Sequence, residues 1–257
     1  MKRGPYAKVG VRNHELVTAI RRIKADHPFW GYRRVWAYLR YVEQQTVTQK
    51  RVYRLMKLHN LLVQPNLRLK ASRVAHRRKP KPTAPNRWWG IDMTKVCIDG
   101  FGWVYVVLVL DWYTKKIVGH YAGIQAKTWH WLVALNTAVQ QQFPDGAKDH
   151  GLSLMADNGC QPTAVAFMEA CRAMGITQAF TSYNNPKGNA DTERLMRTLK
   201  EELVWIREWK SPVEFIAALE EWVKTYNHEY LHSALQYQTP VAYEQQYAAH
   251  STQLQTA

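Results

Sequence analysis

Residues 88–121 read WWGIDMTKVCIDGFGWVYVVLVLDWYTKKIVGHY, and residues 152–180 read LSLMADNGCQPTAVAFMEACRAMGITQAF. The first stretch holds three extended segments: 89–96, then 103–110 beyond the turn at Asp99-Gly100, then 116–121. Connections this short make them antiparallel neighbours in one sheet. The middle segment, WVYVVLVL, is apolar throughout, as a buried strand requires. A helix is expected at 128–142. The second stretch then gives a buried strand at 152–156, a helix at 162–174 closed by Gly175, and a strand at 176–180. Strand, helix, strand, helix, strand implies parallel pairing through right-handed crossovers. The expectation is an α/β domain with a mixed sheet and helices on its faces.

Upstream of residue 88 the chain changes character. Residues 1–81 contain 21 of the 35 Lys and Arg side chains against three acids, Glu15, Asp26 and Glu43, a balance of +18. The remainder has 14 basic and 17 acidic residues, or −3, so the net charge of +15 belongs to one segment. A segment so rich in cations repels itself unless a polyanion neutralises it, which points to nucleic acid. A solubilising basic face would not need so one-sided a balance.

The apolar pattern in this segment is helical. Leu16, Ala19, Ile20 and Ile23 recur at i, i+3, i+4 and i+7 on a helix over 15–25, ended by His27-Pro28. Tyr32, Val35, Leu39 and Val42 repeat the pattern on a second helix. Thr48 is placed to N-cap a third, which turns Val52, Leu55 and Met56 inward. Lys50, Arg54 and Lys57 line its outer face, with Arg51, Arg33 and Arg34 nearby in sequence. That face suits phosphates in a DNA groove, although an ordinary solvated face has the same composition. Residues 1–63 are therefore expected to form a basic, all-helical, helix-turn-helix-like DNA-binding domain. Residues 64–87 hold eight basic and no acidic residues, with Pro65, Pro80, Pro82 and Pro85. They read as a linker that follows a phosphate backbone, Arg77 and Arg78 among its cations.

Composition excludes other classes. With 46% hydrophobic and 21% charged residues over 257 positions, the chain is globular rather than disordered or fibrous. Its longest apolar run, 103–110, is far short of the roughly 18 residues a membrane span needs, and no signal region follows Met1. A cytoplasmic protein without a membrane partner is expected. Cys97, Cys160 and Cys171 form no CxxC pair and are expected as buried small hydrophobes. Trp129, Trp131, Trp205, Trp209 and Trp222 are assigned mostly to the core, while Trp88 and Trp103 lie close enough to the first strand to stack on a base. His228 and His232 are four apart, but with no cysteine beside them a polar or DNA-facing role fits better than zinc.

Three carboxylates stand out. Asp92 lies mid-strand among Trp89, Ile91 and Met93 and needs a partner. Asp157 follows the strand at 152–156, just before Asn158-Gly159, at the carboxyl end where open α/β sheets gather ligands. Glu193 sits on a helix over 189–206 whose buried stripe is Leu195, Met196, Leu199, Leu203 and Ile206 and whose rim holds Glu193, Arg197 and Lys200. Taken singly, Asp157 equally suits a turn cap and Glu193 a salt bridge to Arg197. Taken together they suit phosphodiester transfer, in which two divalent cations about 3.5–4 Å apart assist the attacking and leaving oxygens. Carboxylates favour Mg²⁺; thiols and imidazoles favour softer metals. Asp111, after the second strand, reads as a strand-end or turn residue. Cys160 and His120 assemble no nucleophile and base.

Four stretches make a family resemblance specific: HPFWGYRR at 27–34 with KRVYRLM at 50–56; WWGIDMT at 88–94; ADNG at 156–159 with GNADTE at 188–193 and TLK at 198–200; and YNHEYLHSAL at 226–235 with Thr239-Pro240. Over about residues 15–245 the chain resembles OrfB-type transposases of bacterial insertion sequences, members of the DDE retroviral-integrase superfamily. Thirty-five residues separate Asp157 from Glu193, the family's usual interval.

The resemblance implies an RNase H-like mixed-sheet catalytic core over 88–210 and a C-terminal helical region over 211–257. It makes Asp92, Asp157 and Glu193 both the catalytic residues and the metal ligands. Asp92 would bridge two ions of Mg²⁺ or Mn²⁺, with Asp157 and Glu193 each holding one. Lys200 matches the family's basic residue seven positions after the Glu, and with Arg197 is expected to meet DNA. Asn189 departs from the pattern, standing where many related transposases have Arg. The implied reaction is cleavage of a strand at the element's end by water, then attack of the released 3′-OH on a second phosphodiester. Implied partners are double-stranded DNA at the element ends and target, further protomers on paired ends, and an upstream OrfA-type product joined by frameshifting. A copy-out route through a circular intermediate, at the bacterial nucleoid, completes the expectation. Two other classes share parts of this evidence. A catalytically silent DNA-binding regulator derived from a transposase would not need all three carboxylates, and an RNase H-type nuclease would not need +18 on a helical segment.

Overall fold

The computed structural model describes residues 7–63, 80–181 and 188–255, which belong to two compact units divided at residue 73. In the first, helices α1 (Ala7–Asp26), α2 (Tyr32–Ala37) and α3 (Gln49–Leu58) enclose Leu16, Val17, Ile20, Ile23, Val35, Leu39, Val52, Leu55 and Met56. The apolar stripes read from the sequence meet there. Thr48 caps α3, its hydroxyl accepting from the Arg51 N–H, and Trp30 is buried with its ring stacked on His27 at 3.8 Å. The second helix differs from expectation: after Ala37 it widens into a π-helical turn, Tyr38–Val42. That change of pitch leaves Val42 exposed while Leu39 stays buried.

The second unit is built on five strands: β1 (Trp88–Ile98), β2 (Gly102–Asp111), β3 (Ile117–Gly123), β4 (Ser153–Ala156) and β5 (Thr177–Phe180), in the spatial order β3-β2-β1-β4-β5. β1 pairs antiparallel with β2, and β2 with β3; β4 runs parallel to β1, and β5 to β4. The β1–β2 reversal uses Gly100 and Gly102 at φ +74° and +88°, a region that glycine enters without steric cost. Helices α4 (Thr128–Gln142) and α5 (Val165–Ala173) supply the crossovers. Alternation along β1 divides the core. Trp89 and Ile91 face the layer that contains Trp131, Leu135, Phe167 and Cys171 from α4 and α5. Val96 and Ile98 face the opposite layer.

That opposite layer is closed by α6 (Ala190–Leu199), its π-helical extension Lys200–Val204, and α7 (Pro212–Glu229), through Leu195, Leu199, Leu203, Phe215, Leu219 and Trp222. The C-terminal segment therefore packs on the sheet itself. Helix α8 (Pro240–Gln255) follows. No helix among the described residues is long and apolar enough to cross a membrane.

Several burial expectations fail for local reasons. The π-turn ends the helical repeat at Val204, so Ile206 leaves the stripe and is exposed, as is Trp205. Trp129, in the first turn of α4, is exposed too, whereas Trp131, Trp209 and Trp222 are buried. Of the cysteines only Cys171 is buried. Cys97 lies at the hairpin end of β1 opposite exposed Trp103, and Cys160 lies in the turn after β4.

Candidate active site

The period of two that sends Trp89 and Ile91 to one face sends Asp92 to the other, toward α6. Asp92 is half-buried, with Oδ1 accepting from the Met93 N–H at 2.8 Å. The parallel register aligns Trp88 with Ser153 and Gly90 with Met155. Two residues further, Asp92 draws level with Asp157 as β4 gives way to a turn. Asp157 is exposed, and its Oδ1 accepts from the Gly159 N–H at 3.0 Å. This Asx-turn is the cap weighed from sequence, and it also fixes the carboxylate at the strand's end. Asn158 ties the same turn to Thr181 through its side-chain amide, 2.6 Å from the Thr181 carbonyl.

Glu193 stands exposed in the first turn of α6, where Asp191 and Glu193 meet the positive end of the helix dipole. Leu195, Met196 and Leu199 anchor the helix on the sheet. Glu193 is close enough to act on Asp92. Burial pushes the Asp92 carboxyl up to about 6; the Met93 N–H opposes this, the negative charges of Asp157 and Glu193 add to it, and the Lys200 ammonium opposes it. Three carboxylates from a strand, a turn and a helix, with one lysine, thus share one electrostatic site. Arg197 lies on the same helix but pairs with Glu201 at 2.8 Å.

Gly90, not singled out from the sequence, makes this approach possible. A methyl group there would overlap the Thr192 hydroxyl and the Trp112 ring nitrogen and come within 2.8 Å of Asn189 Oδ1. The readable signal was a glycine inside a strand, which marks close approach of another segment. Asn189 is buried, and its Nδ2 donates to the Ile91 carbonyl at 3.3 Å, bracing α6 against β1. Asp111 is a turn residue: Oδ1 accepts from Tyr113 and Thr114, and Oδ2 from Asn86, at 2.6–2.9 Å.

The donor set fits a hard divalent cation, since its side chains offer carboxylate oxygens without thiol or imidazole. Among the described residues no three His, Cys, Asp or Glu side chains close into a cage for one ion. Cations between carboxylates carried on three separate elements would relieve their mutual repulsion.

The remaining sequence candidates are placed as follows. Lys50, Arg54 and Lys57 are exposed on α3. Arg51 donates through Nε and Nη2 to Asn13 Oδ1 at 3.2 and 2.8 Å, joining α3 to α1. Arg33 is exposed beside Tyr32, and Arg34 lies 5.6 Å from the Trp30 ring. Arg77 and Arg78 fall outside the described residues. Trp88 stacks on Trp112 at 5.8 Å, while Trp103 lies on the sheet face opposite Asp92, 4.4 Å from the Lys95 ammonium. His228 is exposed, whereas the His232 ring packs 4.7 Å from that of Tyr230.

Comparison with known proteins agrees with this architecture. Two integrase core domain models match residues 82–186 and 174–240, and an HTH-like domain model matches residues 12–68. Transposase InsD for insertion element IS2A/D/F/H/I/K of Escherichia coli is 26% identical over 242 residues, covering 91% of this chain and 79% of that protein. Transposase InsD for insertion element IS2-9 of strain K12 is equally similar, with 78% of its length covered. In a simian T-cell lymphotropic virus intasome bound to the PP2A regulatory subunit B56 gamma, one chain shares the fold. Its TM-score is 0.52 at 16% identity, over 81% of this chain and 73% of that one. The chain therefore belongs to the DDE integrase superfamily, in its branch of insertion-sequence transposases with an RNase H-like core.

Proposed function

We propose that Asp92, Asp157 and Glu193 are the catalytic carboxylates of this transposase and would together hold two ions of Mg²⁺ or Mn²⁺. The observation that supports this most is the electrostatic coupling of Asp92 to Asp157, Glu193 and Lys200, four residues from three elements. Divalent cations would supply charge neutralisation at the reacting phosphate and acidify the attacking oxygen. The chain's own part is positioning. Asp92 is fixed mid-strand by its bond to Met93, Asp157 by its Asx-turn, and Glu193 by the sheet-packed helix. Lys200, whose ammonium acts on Asp92, is the group that would meet a phosphate of the DNA end. In the first step water bonds to phosphorus and the P–O3′ bond breaks, leaving a 3′-OH. In the second, that hydroxyl bonds to phosphorus of another strand and expels its O3′. No covalent bond to the protein forms.

The integrase-core family is metal-dependent and its HTH-like domain binds DNA. Beyond that, Lys50, Arg54 and Lys57 of the first unit take phosphate contacts, with Arg33, Arg34 and Arg51 of the same unit; Arg77, Arg78 and, on α6, Arg197 take further phosphates. Two or more protomers assemble on paired ends, an upstream OrfA-type product completes end recognition, and the element follows a copy-out route at the nucleoid. The test is incubation of the chain, alone and fused to the upstream product, with labelled element ends and Mg²⁺, resolved on a gel. Cleaved and joined strands are expected and should vanish with a chelator. Tight binding with no cleavage in Mg²⁺ or Mn²⁺ in either form would instead identify a silent DNA-binding regulator.

A further inference from the structure

We infer that the turn between β2 and β3, residues 112–115, is the positioning element of the Glu193 helix, with Trp112 and Lys115 setting where that carboxylate stands relative to Asp92. This rests on the catalytic reading above. The turn makes directional polar contacts to the two residues immediately before Glu193. Trp112 Nε1 donates to the Thr192 hydroxyl at 3.1 Å, with both residues buried. Lys115 Nζ donates to Asp191 Oδ2 at 3.0 Å and to the Trp112 carbonyl at 2.5 Å, joining the turn's own backbone to the helix.

The start of α6 needs such an outside reference. Its N-cap residue, Asn189, makes no side-chain capping bond; that side chain is directed to the Ile91 carbonyl. An uncapped first turn frays, and Glu193 lies in that turn. The turn itself is anchored. Buried Asp111 accepts from the Tyr113 and Thr114 N–H groups and from Asn86, where the chain enters β1. On its far side the Tyr113 ring lies 5.5 and 5.3 Å from the rings of Tyr243 and Tyr247 on α8, and Lys116 pairs with Glu244. Lys115 holds a left-handed backbone at φ +60°, a conformation that its surroundings must maintain. Apolar filler would have sufficed for packing alone. An indole N–H on a hydroxyl and an ammonium on a carboxylate fix direction as well as distance, as a metal ligand needs to within about 0.5 Å.

The test measures Mn²⁺ binding by electron paramagnetic resonance of the free ion, together with melting temperature and DNA affinity, for the full chain and variants. Thr192→Val and Lys115→Met should each weaken Mn²⁺ binding roughly tenfold, the low end of what supporting-residue changes cost, with DNA affinity unchanged. Lys115→Arg, which keeps the ion pair, should stay near wild type. The double variant Trp112→Phe with Thr192→Val should be no weaker than Thr192→Val alone, because one bond is removed once. Glu193→Gln separates the two readings. If it leaves Mn²⁺ affinity unchanged, the catalytic assignment fails. If it weakens binding while Lys115→Met, with a melting temperature near wild type, binds Mn²⁺ like wild type, the positioning role is wrong. Loss of Mn²⁺ affinity in Lys115→Arg equal to that in Lys115→Met would likewise overturn it.

Discussion

Asp92 is a half-buried carboxyl pushed up to about 6, first by burial and then by the charges of Asp157 and Glu193. In the metal-free protein the folded state therefore holds this proton more tightly than the unfolded chain, where the group titrates near 3.8. Stability from this source is fully present below that lower value and is lost as pH rises through about 6. Asp92→Asn removes the loss. Calorimetry without divalent ions should show the variant melting above wild type at pH 8 and losing that advantage near pH 4; added Mg²⁺ should raise the wild-type melting temperature at pH 8 and leave the variant's in place. A variant less stable than wild type at pH 8 would mean that Asp92 is stabilised by partners rather than strained by them. Spacing marked Asp92, Asp157 and Glu193 as candidates in the sequence, but not their local bonds. Asp157 proves to cap its turn while facing the site, and Arg197 takes Glu201, a choice between neighbours one helical turn apart that only the fold settles.

At the level of elements, the antiparallel β1–β2–β3 part of the sheet was readable because its connections are short and the apolar run of β2 lies between two neighbours, whereas the placement of β4 on the β1 edge, reached through a crossover, was not. What escaped was contact across long sequence separation. Trp112 and Thr192 are 80 positions apart, and no periodicity announces their bond. The π-turn at Lys200–Val204 was equally silent, and its change of pitch is why Ile206 left the predicted stripe. Gly90 is where this packing is most exposed to a small change. Gly90→Ala inserts a methyl group against Thr192 and Trp112 and should cost about 1–3 kcal/mol, the usual range for overpacking, read from urea denaturation. A neutral substitution would show that α6 slides freely over β1, contrary to the packing described.

At the scale of the molecule, charge and chemistry are segregated: +18 precedes residue 82, while the three carboxylates lie in a remainder of −3. Affinity from counterion release follows the cations, with a salt slope near −0.9 per neutralised phosphate. Removing residues 1–79 should therefore abolish most DNA affinity and flatten its salt dependence in filter or fluorescence binding. The cut belongs before Pro80 because Asn86 is bound to Asp111 and to the Trp89 ring nitrogen, inside the catalytic unit. Unchanged affinity and slope would assign the basic segment to another partner. Composition made this segregation visible at once.

If Asp92, Asp157 and Glu193 act as one catalytic site, as proposed, strand transfer with a pre-cut element end must depend on each of them, since only the joining step is scored. In Mg²⁺ the wild-type chain should join the labelled end to target DNA. Asp92→Asn, Asp157→Asn and Glu193→Gln should each reduce joining to background while binding the same DNA with wild-type affinity. Joining near the wild-type rate by any one of the three would remove that residue from the site and overturn a three-carboxylate mechanism.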